Sequence, residues 1–160
     1  MPNSSNPNPA KTGPEVQASA QWVSGEVFLT NGTSGHAVVM DAAHTGGSAC
    51  GPMEMVLRSL CACSAVDVVL ILKKARQGLR SLDVSAQGER AGTHPSVYKR
   101  IHVVYRVAGE PLERAVVERA VALSQEKYCS VFATLSQTAA ISHEIVLEAA
   151  PAGEAAAEAS

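Results

Sequence analysis

The chain has 160 residues, a formal net charge of -2, 46% hydrophobic residues and 18% charged residues. That length suits one domain with a real core and is short for two. The near-neutral charge and the lack of a basic stripe give no electrostatic case for nucleic acid, and no apolar run reaches about 18 residues, so no membrane span is expected.

The N-terminus, from Met1 to Pro9, has neither a basic start nor an apolar segment, so no secretory signal is read there and a cytoplasmic location is expected. Residues 1–14 are mostly Pro, Asn and Ser and cannot offset the entropy of ordering, so they are expected to be disordered. The Ala- and Glu-rich tail, residues 150–160, has no face to bury and is expected to be disordered too. One folded domain over residues 15–149 is left.

Within it, Val16 to Val23 alternates weakly, and Ser24-Gly25 signals a turn before a strand from Glu26 to Thr30. Asn31-Gly32 is a hairpin cue because both residues tolerate positive φ, which places the next strand over His36 to Asp41. The Gly/Ala/Ser-rich stretch 42–51 reads as a loop. Pro52 then opens a long helix, where its missing N–H costs nothing, running to about Gln77 with Gly78 as its cap. Apolar residues lie nearly all round this helix between Leu57 and Leu72, so it should be buried on every side, partly by a second subunit.

Leu82 to Arg90 reads as a strand, and His94-Pro95 marks a turn. Val97 to Val107 alternates clearly, with Val97, Ile101, Val103, Tyr105 and Val107 opposite Tyr98, Arg100, His102 and Arg106. Pro111 opens a second helix to about Lys127, with Ala115, Val116, Ala120, Leu123 and Ser124 on one stripe. Ser130 would cap a short third helix from Val131 to about Thr138, and Ile141 to Glu148 is a last strand. This order predicts an α+β fold with antiparallel sheet.

The four cysteines, Cys50, Cys61, Cys63 and Cys129, are better read as thiols than as a disulfide framework, since no signal peptide is seen. No cofactor and no metal are expected. There is no Cys-x-x-Cys, Cys61 and Cys63 point about 200° apart around a helix, and the five histidines are scattered, which leaves long-range assembly as the only route to a metal site. Cys61 has only apolar neighbours and reads as a small hydrophobe. Cys63 shares its helix face with Ser59 and Asp67, four residues to either side, and a polar seam on an apolar helix suggests a pocket. An acid there raises a thiol pKa, unless Asp67 pairs with Arg or Lys elsewhere. Cys129 precedes the short third helix, whose positive end would favour a thiolate.

The segments Gly51-Pro52-Met53-Glu54-Met55-Val56-Leu57 through Cys63 to Asp67-Val68-Val69, Gly88-Glu89-Arg90-Ala91 with His94-Pro95, and Glu126-Lys127-Tyr128-Cys129-Ser130-Val131 resemble the OsmC/Ohr family, and within it the YhfA-like branch. The likeness runs over about residues 16–148. It implies an α+β OsmC-like fold: two long central helices wrapped by antiparallel sheets in an intertwined homodimer. It also implies that Cys63 is the peroxide-reacting thiol and Cys129 the resolving thiol, with a hydroperoxide as substrate and a cellular dithiol as reductant. Catalytic members place a Glu ten residues before the first cysteine and an Arg in the N-terminal hairpin region. Here Met53 stands ten back, Glu54 stands nine back and is the tentative third member, and no arginine precedes Arg58. Glu54 lies roughly 180° from Cys63 on a continuous helix and is four residues from Arg58, the spacing of a surface ion pair. Two functions follow: thiol-dependent hydroperoxide reduction or a related redox stress role through Cys63 and Cys129, or a non-catalytic stress-response or small apolar ligand-binding protein on the same fold.

Overall fold

The computed structural model describes residues 13, 15–43 and 46–148. The expectations for residues 1–14 and 150–160 therefore fall, apart from Gly13, outside the described residues. The chain forms two compact units, one ending at Pro52 and one beginning at Met53.

The first unit is an antiparallel meander of β1 (Ala18–Ser24), β2 (Val27–Gly32) and β3 (Val38–Asp41). Gly25, with φ +49°, makes the first turn. The second turn is not at Asn31-Gly32. Both residues stay in β2, paired with Ser19 and Ala18, and the chain reverses over Thr33–Gly35, where Gly35 supplies φ +75°. Thr33 explains the shift, because its hydroxyl accepts from the Gln17 N–H at 2.7 Å and its own N–H reaches the Gln17 carbonyl, extending the ladder past Asn31. The loop after β3 is organised by Asp41, whose carboxylate accepts from Ala43 N, Ser48 N and Ser48 Oγ at 2.7–2.9 Å. The bonds from Ser48 and Ala43 hold the Asp41 carboxyl below its ordinary range.

The second unit carries α1 (Pro52–Lys74), β4 (Leu79–Arg90), β5 (Tyr98–Gly109), α2 (Arg114–Leu123), a π-helical turn (Ser124–Tyr128), α3 (Ser130–Leu135) and β6 (Ala140–Glu148). The sheet order is β4-β5-β6. β4 and β5 pair antiparallel as expected, but β6 runs parallel to β5, so this sheet is mixed rather than antiparallel throughout. The cause is the connection: a hairpin reverses the chain, whereas α2 and α3 carry it back along the sheet so that β6 enters in the direction of β5.

α1 stops earlier than its sequence suggested. Arg76 takes the left-handed conformation (φ +56°). The Gln77 N–H bonds to the Leu72 carbonyl and the Arg76 N–H to that of Lys73, the paired closure of a Schellman stop. Gly78 is kept for another reason. It exchanges backbone bonds with Glu110 and Pro111, and a Cβ on it would collide with the Glu110 carbonyl. Tyr98 also departs from its expected polar face. The pairing slips between Glu89 and Arg90, which leaves Lys99 unpaired and turns Tyr98 inward, where its hydroxyl donates to the Met53 carbonyl at 2.7 Å. In α2 the buried positions are Val117, Ala120 and Val121, with Ser124 continuing the stripe, and Ala115 is exposed.

The core of this unit joins Leu60, Val68 and Leu72 of α1 to Ile101, Val103, Tyr105 and Val107 of β5 and to Val117, Ala120 and Val121 of α2. Each fully buried aliphatic side chain contributes about 1.5–3 kcal/mol relative to exposure. α1 is nevertheless not covered all round: Val66 and Leu70 are 57% and 61% exposed. An 18-residue window within this 23-residue helix reaches a mean hydropathy of 2.1, enough by length and composition alone to cross a bilayer, although Arg58 and Asp67 interrupt its apolar run. Its buried stripe, Leu60, Ser64, Val68 and Leu72, packs in the core of this unit with β5, whose exposed face carries Arg100, His102 and Arg106.

Candidate functional site

The buried stripe of α1 is apolar except at Ser64, and the residues beside it form the site. Cys63 and Asp67, four apart, share one helix face, and Ser64 lies between them one step further into the core. Cys129 arrives from the other side of the unit. The π-helical turn closes with the Cys129 N–H on the Ser124 carbonyl at 2.8 Å, a wider turn than α-helix, and both Ser124 and Cys129 end up buried. The donor atoms of Cys63, Asp67 and Cys129 all lie within 4.8 Å of one another. Chain folding has thus brought together two thiols that are 66 residues apart in the sequence.

The two sulfurs differ in access. Cys63 is half-buried, whereas Cys129 is 2% exposed. A small reactant therefore meets Cys63 first. Cys129, not Ser130, is the N-cap of α3, and its Sγ accepts from the Phe132 N–H at 3.4 Å. That bond favours a thiolate, but it loses. Burial pushes the Cys129 thiol up to about 11, with the Cys63 thiol and the Asp67 carboxylate pushing the same way. The group is thus raised from 9.0, so its contribution to stability is complete below that value and is lost as pH rises through about 11. Alkylation of Cys129 in the folded chain, followed by peptide mass, is expected to stay slow until pH approaches that upper value and then to accelerate. Fast alkylation at neutral pH would contradict this environment.

Behind the thiols runs a chain of hydroxyls. Ser124 Oγ donates to Asp67 Oδ2 at 2.9 Å, Ser64 Oγ lies 3.2 Å from Ser124 Oγ, and Tyr105 OH lies 2.5 Å from Ser64 Oγ. Each hydroxyl has one proton to give. Since the Ser124 proton goes to the carboxylate, that of Ser64 goes to Ser124 and that of Tyr105 to Ser64. The carboxylate therefore sets the direction of the whole chain. Ser64, Ser124 and Tyr105 are 0–1% exposed, and burial pushes the Tyr105 phenol up. Among the described residues, Asp67 has no Arg, Lys or His within salt-bridge distance.

The remaining sequence candidates lie elsewhere. Glu54 is exposed and pairs with Arg58 at 2.5 Å, outside the thiol cluster. Ser59 turns its hydroxyl onto the Met55 carbonyl. Cys61 opens onto a separate groove lined by Leu57, Ala62, Ala65, Val84 and Ala86 together with the Glu54 and Arg58 pair. Cys50 sits in the loop after β3, where its carbonyl accepts from Asp41 N. Sequence reasoning missed Ser64 and Tyr105, and the available signal was a lone serine on the buried face of an apolar helix.

A family model described as OsmC-like protein matches residues 45–144, spanning the boundary between the two units. Protein YhfA of Escherichia coli K12 is 42% identical over 135 residues, covering 84% of this chain and all of that protein. A hypothetical protein from Aquifex aeolicus, solved by crystallography, is 33% identical with TM-score 0.72 over 85% of this chain and 99% of its own. An organic hydroperoxide resistance protein OsmC from Legionella pneumophila shares the fold at 17% identity, with TM-score 0.63 over 85% and 99% of the two chains.

Proposed function

This chain belongs to the OsmC-like protein family, in its YhfA-like branch, and on that premise we propose that it reduces organic hydroperoxides through Cys63 and Cys129. Neighbours named for organic hydroperoxide resistance support a redox stress role at the level of the family. The observation that carries the finer reading is the pairing of one reachable and one buried thiol, with their sulfurs within 4.8 Å.

In the proposed cycle the Cys63 thiolate attacks the distal peroxide oxygen. An S–O bond forms, the O–O bond breaks, and the departing alkoxide takes a proton from solvent to become an alcohol. Cys63 is thereby oxidised by two electrons to a sulfenic acid. Cys129 Sγ then attacks that sulfur, the S–O bond breaks, and the leaving hydroxide combines with the Cys129 proton as water. Side-chain rotation must close the sulfurs to ~2.05 Å for this bond. An external dithiol returns two electrons and leaves as its own disulfide. Asp67, oriented by Ser124, replaces the Glu54 of the sequence reading as the carboxylate beside the thiols, and it helps keep Cys129 protonated until Cys63 has reacted.

The active form is proposed to be a homodimer in a reducing cytoplasm, since both thiols must start reduced. Val66 and Leu70 on α1 leave an apolar face for a second copy to cover, and so do Trp22, Val38 and Val39 in the first unit, each more than 40% exposed.

The test is consumption of cumene hydroperoxide by the reduced chain with excess dithiol, compared with hydrogen peroxide. Loss of the organic substrate, faster than of hydrogen peroxide, is expected. Consumption no faster than the dithiol blank would remove the proposal. It would leave the second reading, a small apolar ligand in the Cys61 groove, whose lining is mostly aliphatic.

A further inference from the structure

We propose that Cys63, Asp67 and Cys129 form a three-ligand site for a thiophilic divalent cation of the zinc type, with a fourth coordination position left open. No ligand spacing along the chain marks such a site, because two of its donors lie on one helix and the third enters from the start of another. The fold supplies what spacing did not.

The geometry fits tetrahedral coordination. Zn–S bonds of about 2.3 Å and Zn–O bonds of about 2.0–2.2 Å require ligand edges of about 3.7 Å between sulfurs and about 3.5 Å between sulfur and oxygen. The three donors already lie within 4.8 Å of one another, so side-chain adjustment of about 1 Å or less closes the site. Cys63 and Asp67 present their donors from one helix face, four residues apart, while Cys129 approaches from a cap position. Two sulfurs and a carboxylate form a borderline-soft set that suits zinc and excludes the hard, all-oxygen preference of calcium and magnesium.

The surroundings add to this. The Ser124 hydroxyl donates to Asp67 Oδ2 and so holds the carboxylate, and that serine is itself held by Ser64 and Tyr105. The Phe132 N–H points at Cys129 Sγ, as outer-sphere donors do at bound thiolates. Asp67 has no cationic partner among the described residues, so a cation would compensate three groups that are negative when bound. Cys63 and Asp67 are only half-buried, which gives an ion a way in and leaves the fourth position to water or a ligand. This inference shares residues with the hydroperoxide reading but does not depend on turnover. Metal and disulfide are competing uses of the same two sulfurs.

The experiment is titration of the reduced, full-length chain with Co(II) under exclusion of oxygen, followed by displacement with Zn(II). Wild type is expected to bind one metal per chain with an intense near-ultraviolet thiolate-to-cobalt band and the visible bands of tetrahedral cobalt. Cys63→Ser and Cys129→Ser should lose the charge-transfer band, Asp67→Asn should bind at least about tenfold more weakly, and Cys61→Ser and Cys50→Ser should match wild type. Circular dichroism checks each variant's fold. If a serine variant does not fold, alkylating Cys63 in the folded wild type should abolish the band in its place. No charge-transfer band in wild type, or a band that depends on Cys61 or Cys50 instead of Cys129, would overturn the proposal. Hydroperoxide consumption is scored separately, so either reading can fail alone.

Discussion

Replacing Cys63 by serine is expected to lower hydroperoxide consumption at least about a hundredfold, because the serine hydroxyl is not ionised at neutral pH and cannot act as the nucleophile. Cys129→Ser should behave differently. The first step survives, one hydroperoxide is consumed per chain, and a sulfenic acid persists on Cys63 where a nucleophilic trap can label it. This asymmetry follows from access: Cys63 is half-buried at the face of α1, while Cys129 lies 2% exposed beneath it. A symmetric pair would lose activity equally at either position with no trapped intermediate. The measurement is peroxide consumption over single and multiple turnovers, with label counted by peptide mass. If Cys63→Ser keeps wild-type rates, the assignment of the attacking thiol is wrong.

The largest effect expected on stability comes from Gly78→Ala, at roughly 3 kcal/mol or more of destabilisation. Gly78 donates to the Pro111 carbonyl at 2.7 Å and accepts from Glu110 N at 2.9 Å, so the two backbones are held together from both sides. A methyl there meets the Glu110 carbonyl, which is backbone and cannot swing away. Gly109 faces the reciprocal clash with the Gly78 carbonyl. Gly92, with open space around its Cβ direction, is the control, and Gly92→Ala should stay within about 0.5 kcal/mol of wild type. Urea unfolding of the three proteins checks the ranking. A Gly78→Ala protein as stable as the control would mean that the β4–β5 end is looser than described. The consequence for function is direct, because β5 carries Tyr105, the head of the hydroxyl chain behind the thiols.

Much of this was legible in the sequence where a local rule operates alone. Pro52 at the start of α1, the alternation through β4 and β5, and the pair Cys63 and Asp67 on one helix face all follow from spacing. The failures have a common form: a local preference yielded to a tertiary contact. Asn31-Gly32 favours a turn, yet the Thr33 hydroxyl prolonged the ladder. Gly78 favours a helix stop, yet the close approach of Glu110 claimed it and Arg76 took the left-handed position. Tyr98 alternates outward until one unpaired residue, Lys99, turns it inward. The parallel entry of β6 depends on where α2 and α3 return the chain, which no period in the sequence encodes.

The site shows the same division. The two cysteines stood out by their setting and by resemblance, and Ser59 and Asp67 stood out as a polar seam. Only Asp67 belongs to the thiol cluster, since Ser59 satisfies itself on the Met55 carbonyl. Glu54 faces Arg58, as its i to i+4 spacing already suggested. The Ser64, Ser124 and Tyr105 chain joins three elements and has no sequence spacing at all. Ser130, the expected cap of α3, is one residue off, and that residue matters, because Cys129 holds the position. The sulfur itself accepts the Phe132 N–H, and burial still keeps its proton in place.

The central claim is that Cys63 and Cys129 act as one redox pair, and a non-reducing peptide map after one equivalent of cumene hydroperoxide tests it most directly. Trypsin separates Ser59–Lys73 from Tyr128–Ser160, and a Cys61→Ser background leaves Cys63 as the sole cysteine of the first peptide. The account predicts a disulfide-linked pair of these two peptides that disappears on adding dithiol and never forms in Cys63→Ser. Both peptides recovered reduced after the hydroperoxide, or Tyr128–Ser160 linked to the Cys50 peptide instead, would contradict it.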